Sequence, residues 1–482
     1  MQLRKIFEIL LVLDKPQLKR FDDFVHSPYF NKHEQVCRLW DYLKFDLSED
    51  ALSGLDSVLL YEKIAPSVPY DAKRLNHLYS YLLDLLTKFL GVEGIFVENP
   101  MKVNLLYIKQ LRKICPTAKQ LQSLLRKQQQ GLETPTYLNA SHYYESFELY
   151  EELDTLFLSA PLRAQDPNLQ SKNDSLDYFY LYSKLKIACD MTSRNIVINA
   201  DYQCHLLPAL LSFIETNPNY ALLPGIAVYL RILQMLKSDK HEDYEALKTF
   251  LPSIIQYFES EELLLMYDYA QNFCIRRINS GVTDYYLEFL DLYKTQLENG
   301  ILFRNGYLEE WDYKNIVTAG VRTDDFAWTE QFIEMNKKYL KPDLQENAYI
   351  YNLANLYYET ARYKEALQLL HQVEFTDSSY HLGAKYIQLK SYYELDELTA
   401  YDALVRAFRE YVRRNKQLSE YRRRANLNFL RIAQKLGQLK ERKPYSSKMR
   451  VEKDWNNIAA LLKSLSPMAN SDWLEGALKK MG

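Results

Sequence analysis

Glycine is scarce in this chain of 482 residues, with 13 copies, and proline is modest at 16. Hairpins and phosphate-cradling loops are built on tight glycine turns, so β-rich folds and nucleotide-binding loops have little raw material here. No GxGxxG, P-loop lysine motif, GxSxG elbow or kinase signature occurs. Cysteine is sparse as well. Cys37, Cys115, Cys189, Cys204 and Cys274 are widely separated, form no CxxC pair and are odd in number. That pattern argues against a disulfide framework or a cysteine zinc site and fits a reducing compartment. Long apolar runs are missing too, since no segment approaches the roughly 20 residues that span a bilayer. The opening MQLRKIFEILLVLDKP starts as a signal peptide does, with Arg4 and Lys5 before an apolar run. Glu8 interrupts that run and no small-residue cleavage site follows, so an amphipathic helix and a cytoplasmic protein are expected.

What the chain does contain is Leu, Lys, Glu, Gln and 40 tyrosines. Strong helix formers dominate, and Tyr suits half-buried seams between helices as well as binding surfaces. A chain of this length exceeds one ordinary core, so it is either several domains or a continuous stack of repeats. The expected fold class is all-α, with antiparallel helix pairs. Residues 1–158 form an N-terminal helical region, the polar stretch SAPLRAQDPNLQSKND at 159–174 is a linker candidate, 175–440 is a helical-repeat body, and 441–482 is a basic and polar C-terminal segment.

Near the N-terminus, Asp14 with Gln17 makes a capping box ahead of a helix whose Leu18, Phe21 and Val25 share a face. Pro28 then disfavours helix at Ser27, and Asn31 with Glu34 forms a second capping signature before Val36, Leu39, Trp40 and Leu43. HSPYFN is therefore expected to be a helix stop, a turn and a helix start, with Tyr29 and Phe30 folded back onto the pair. The adjoining HEQVC is one residue short of the HExxH zinc motif. Cys37 stands where the second His would be and no third ligand is identifiable, so no metal and no catalytic residue is assigned. No cofactor is expected.

A repeat is measurable in the last third, most clearly over 308–437. Ile316, Leu353, Leu389 and Ala425 recur every 36 or 37 residues, and Gly320, Tyr357, Tyr393 and Phe429 follow one turn later. That period is the length of one helix-turn-helix unit. The stretch NAYIYNLANLYYETARYKEALQLL resembles a tetratricopeptide repeat through Leu353, Ala354 and Tyr357 on one helix and Tyr363, Ala366 and Leu370 on the next. The following unit keeps Leu389 and Tyr393 but has Lys390 where a small residue is usual. The chain as a whole is similar to large bacterial helical-repeat proteins. The resemblance implies a groove with Tyr351, Asn355, Tyr358, Glu359, Ser391 and Glu394 facing a protein or peptide partner. An Asn at the position of Asn355 resembles part of a clamp for a peptide's terminal carboxylate, without the matching basic residues.

The strongest electrostatic feature lies between Tyr401 and Lys453, where 16 Lys or Arg stand against five Asp or Glu in a chain whose net charge is −3. Arg406, Arg409 and Arg413 share one helical face, and Arg424, Arg431 and Lys435 another. Three roles are open to them: balancing an acidic body, binding nucleic acid, or binding an acidic protein. The function expected first is a non-enzymatic adaptor that presents a curved helical surface to a protein or peptide. A nucleic-acid-binding regulator using the basic helices is the alternative, and a hydrolase without a recognisable motif is a third.

Overall fold

The computed structural model describes residues 2–48, 54–66, 68–97, 100–115, 119–133, 137–158, 165–166, 168–372 and 378–481. The architecture is all-helical, and among the described residues the sole sheet is a two-residue hairpin pairing Phe303–Arg304 with Tyr307–Leu308. No described helix is long and apolar enough to cross a membrane. The chain divides into two compact units, Met1–Leu181 and Tyr182–Gly482.

The first unit holds α1 (Gln2–Leu10), α2 (Lys15–His26), α3 (Glu34–Leu43), α4 (Ser57–Ile64), α5 (Ala72–Phe96), α6 (Pro100–Ile114), α7 (Lys119–Glu133) and α8 (Ala140–Leu158). The unit boundary falls within α9 (Asn168–Ile198). Of the stretch 159–174, residues 168–174 are the opening turns of α9, while 159–164 and 167 lie outside the described residues. Amphipathic α1 buries Ile6, Phe7 and Leu10. The Asp14–Gln17 capping box forms in full, with the Gln17 N–H donating to Asp14 at 2.7 Å and the Asp14 N–H to Gln17 at 3.0 Å. The core between α2, α3 and α5 is aromatic. Phe21 meets Trp40 edge-on at 4.8 Å and Phe89 at 5.2 Å, and the Trp40 indole N–H donates to Asp22 at 2.7 Å.

The corner after α2 forms, with one correction. The N–H groups of Phe30 and Asn31 bond the Ser27 carbonyl, and Phe30 stacks on Phe24 at 4.1 Å. Tyr29 does not fold back, and is 86% exposed. Asn31 does not cap α3 with Glu34. Its carbonyl oxygen accepts from the His33 N–H at 2.9 Å, while its amide donates to the Val25 carbonyl at 2.8 Å and to Cys37 Sγ at 3.3 Å. A helix end leaves carbonyls without partners, and Asn, unlike Ser or Asp, has an N–H that can reach one. Asn31 therefore ties the end of α2 to α3, His33 takes the cap position without a side-chain bond, and Glu34 pairs with Arg38 at 3.4 Å.

The second unit continues with α10 (Leu207–Thr216), α11 (Pro224–Ser238), α12 (His241–Phe250), α13 (Ser260–Asn279), α14 (Tyr285–Glu298), α15 (Glu310–Arg322), α16 (Phe326–Asn336), α17 (Gln345–Glu359), α18 (Tyr363–Leu370), α19 (Ser378–Glu394), α20 (Leu398–Arg414), α21 (Glu420–Arg442), α22 (Lys448–Ser464) and α23 (Ser471–Lys479). Consecutive helices pack as pairs from α11/α12 to α21/α22. The first helices of neighbouring pairs also touch, α15 on α17 and α17 on α19. Tyrosine fills these seams, and several of its hydroxyls bond a neighbouring helix. Tyr182 and Tyr229 both donate to Glu262, Tyr313 to the Ile333 carbonyl at 2.8 Å and Tyr401 to the Ala433 carbonyl at 2.8 Å. The scarce glycines mark close contacts: a Cβ at Gly225 would collide with the Tyr182 ring, at Gly320 with Thr329, at Gly383 with Tyr351 and at Gly437 with Tyr401.

Candidate functional site

Four first helices of the pairs, α13, α15, α17 and α19, end in the same way, α13 with Gly281 at φ 95 and the Val282 N–H on the Arg277 carbonyl at 3.0 Å. In α15, α17 and α19 the second residue after the helix adopts a left-handed conformation, Asp324 at φ 56, Ala361 at φ 61 and Asp396 at φ 59. The next N–H reaches five residues back, Asp325 to Gly320 at 3.0 Å, Arg362 to Tyr357 at 2.7 Å and Glu397 to Tyr392 at 3.0 Å. This Schellman arrangement satisfies carbonyls left over at the helix end. It also defines which residues are equivalent. Thr318, Asn355 and Lys390 occupy one position on α15, α17 and α19, and Arg322, Glu359 and Glu394 another.

The equivalence differs by one residue from the 36-residue spacing of Leu353 and Leu389. The third helix aligns at 35, so Ser391 matches Leu356 rather than Asn355. Ser391 is correspondingly buried at 0% exposure and presents nothing to a partner. Lys390 takes its place. The oddity of a lysine where a small residue was expected was the available signal for this shift.

The remaining groove candidates separate into packing and surface residues. The Tyr351 ring covers Gly383 and meets Tyr380 edge-on at 5.0 Å, and burial pushes its hydroxyl up to about 12. The Lys314 ammonium sits over the rings of Trp311, Tyr351 and Tyr380 at 5.2, 5.2 and 5.5 Å. Tyr358 lies half-buried against Tyr363, with its hydroxyl raised by burial. Asn355 is partly exposed and Glu359 exposed. The Lys390 amine is lowered to about 8, by burial first and by Arg322 as well, with Glu359 and Asp472 opposing the shift. Arg322 and Lys390 thus supply positive charge on the helices either side of Asn355.

Part of this face carries the chain's own C-terminus. Lys390 donates to the Asn470 side chain at 2.7 Å, Trp473 packs edge-on against Tyr393 at 5.3 Å, and Lys480 pairs with Glu394 at 3.3 Å. The Asn428 amide donates to the Pro467 carbonyl at 2.8 Å, and the Ala469 N–H to the Ala425 carbonyl at 3.3 Å. Leu474, Leu478 and Met481 are buried in the same cluster as Phe429 and Leu436. Nothing local in the sequence marks these contacts, because they join residues about 40 to 90 positions apart. On α13, Asp268 is raised to about 6 by burial and by Asp312, which itself accepts the Tyr293 hydroxyl at 3.0 Å.

The basic candidates also divide. Arg406 pairs with Asp402 and Arg413 with Glu410, each at 2.9 Å, and Arg409 donates to Gln434 at 2.9 Å. Arg424, Arg431 and Lys435 are exposed, and among the described residues none has a carboxylate at ion-pair distance.

In the first unit, His33 of HEQVC lies against the Tyr81 ring at 5.5 Å, whereas Cys37 faces Asn31 and the Val25 carbonyl, so the two turn to different neighbours. Among the described residues, Asp22, His26 and Asp41 form the one group with metal-ligand spacing. The Lys44 ammonium already sits there, 2.8 Å from Asp22 and 2.7 Å from Asp41. Comparison of the chain with protein-family models, with curated proteins and with solved structures finds no match.

Proposed function

We propose that the second unit is a tetratricopeptide-like stack acting as a cytoplasmic, non-enzymatic adaptor, and that the common face of α15, α17 and α19 takes a protein or peptide partner. The observation that carries this is the identical helix ending, which brings Thr318, Asn355 and Lys390 to one position and Arg322, Glu359 and Glu394 to another. A surface repeated in register along a stack suits an extended polypeptide. The chain's own segment from Pro467 to Lys480 supports the reading, since it engages Lys390, Tyr393 and Glu394 through hydrogen bonds, an aromatic contact and an ion pair. The partner's site is the neighbouring stretch around Arg322, Asn355 and Glu359, whose mixed charge selects a polar peptide with at least one acidic group near Lys390 and Arg322.

The test is affinity capture from the native host with the double variant Asn355→Arg, Glu359→Lys, beside Lys364→Glu on the outer helix α18. Neither site is a core position, so all three proteins should fold alike by circular dichroism. The inner-face variant should lose its specific partner at least tenfold and the outer one keep it. Equal retention by both would remove the face from consideration.

A further inference from the structure

We infer that a stripe along α21, made of Tyr421, Arg424, Arg431, Lys435 and Arg442, binds the phosphate backbone of single-stranded nucleic acid. This goes beyond the adaptor reading and uses different residues. At 100° per residue these five side chains fall within about 80° of one another around the helix axis, and the four cations are separated by roughly 10, 6 and 10 Å along it. All five are exposed, Tyr421 at 71%.

What the stripe offers is a row of unpaired cations aligned on one exposed face of a single helix. Four other cations of the basic window have carboxylate partners: Arg406 with Asp402, Arg413 with Glu410, Arg423 with Glu420 and Lys440 with Asp396. Among the described residues Arg424, Arg431, Lys435 and Arg442 have no such partner. Glu420, at the edge of the stripe, is taken by Arg423 at 2.7 Å. The chain's net charge of −3 means that a polyanion is not attracted to the protein in general, so any attraction is to the basic window of which this face is part.

The composition of the stripe selects among polyanions. Protein interfaces centre on an apolar core depleted of charge, and the stripe has none. Interfaces with nucleic acid are polar and strongly positive, and three of the four cations are Arg, whose planar fork matches phosphate oxygens. Tyr421, one turn before Arg424, offers an exposed ring on which an unpaired base can stack, which favours a single strand over a duplex. RNA and DNA share this chemistry.

The experiment is fluorescence anisotropy with oligo-U and oligo-dT of about 20 nucleotides; four phosphate contacts predict a salt slope near −3, roughly a fiftyfold loss between about 50 and about 200 mM salt. The variant Arg424→Glu, Arg431→Glu, Lys435→Glu should lose at least thirtyfold in affinity with unchanged circular dichroism. A charge-matched control, Lys19→Glu, Lys73→Glu, Lys127→Glu, changes exposed lysines of the first unit and should bind as the wild type does. Tyr421→Ala should weaken binding at least fivefold while leaving the salt slope alone. If RNA binds and DNA does not, or the reverse, the stripe stands and its ligand is narrowed. No binding by the wild type at low salt would overturn the inference, as would equal loss in the control. Tighter binding to poly-glutamate or to phosphatidylserine vesicles than to either oligonucleotide would also overturn it, assigning the stripe to an acidic protein or a lipid surface.

Discussion

Gly437 provides the sharpest check on the packing of the second unit. It lies inside α21, where glycine costs about 1 kcal/mol relative to alanine, so by propensity alone Gly437→Ala would stabilise the protein. The structure argues the reverse. A Cβ there would lie 2.6 and 2.9 Å from two ring carbons of Tyr401. That ring is 1% exposed and held by its hydroxyl bond to the Ala433 carbonyl at 2.8 Å, so it has nowhere to move. Overpacking of this kind costs about 1–3 kcal/mol, and against the propensity gain a net loss of up to about 2 kcal/mol is expected. Gly476→Ala in α23, where nothing lies within 4 Å of the added carbon, should instead gain about 0.5–1 kcal/mol. Urea unfolding followed by far-ultraviolet circular dichroism reads both. Tyr401→Leu should cost less when combined with Gly437→Ala than in the wild type, with a coupling of about 1 kcal/mol or more. A midpoint raised by Gly437→Ala as much as by Gly476→Ala would refute the contact.

Further outcomes follow from the two residues that the sequence placed differently. Lys390 has its folded amine lowered from 10.5 to about 8, so the unfolded chain binds the extra proton between those values and stability should rise with pH across that window. Lys390→Met should abolish that rise in thermal melts and stabilise the protein near neutral pH by about 1–3 kcal/mol, less the lost bond to Asn470; an unchanged pH profile would contradict the burial of this amine. Asn31→Ala should cost about 1–2 kcal/mol because it leaves the Val25 carbonyl only the weak Cys37 thiol as a donor. Asn31→Asp should be no better, since the missing group is the donor; rescue by Asp would restore the capping role that the structure denies.

How far the fold was legible depended on the range of each interaction. The Asp14–Gln17 box spans three residues and uses backbone groups of the same turn, so its letters were sufficient. Asn31 carried the same kind of letters, but its amide reaches back six residues to Val25 and forward six to Cys37, which a capping pattern does not encode. The repeat was visible through Leu353 and Tyr357, yet tyrosines at both 392 and 393 fit the next unit, and only the bond from Glu397 to Tyr392 decides between them. That choice moved Ser391 into the core and Lys390 to the face. Tyr351 looked like a groove residue because aromatics serve surfaces and seams alike, and Gly383 beneath it explains why it is a seam. The positive charge between Tyr401 and Lys453 was plain from composition, and the i,i+4 and i,i+3 spacings of Asp402–Arg406 and Glu410–Arg413 are local, whereas Glu420 stands within a turn of both Arg423 and Arg424, and only the structure gives it to Arg423.

The adaptor proposal is tested most directly by placing a photo-crosslinking amino acid at Asn355 in the tagged protein, with Lys364 on α18 as the reference site, and illuminating cells of the native host. The proposal predicts one discrete crosslinked polypeptide from Asn355, diminished by the Glu359→Lys change, and none from Lys364. Crosslinking from Lys364 as strong as that from Asn355, or products from Asn355 that Glu359→Lys leaves unaltered, would contradict it.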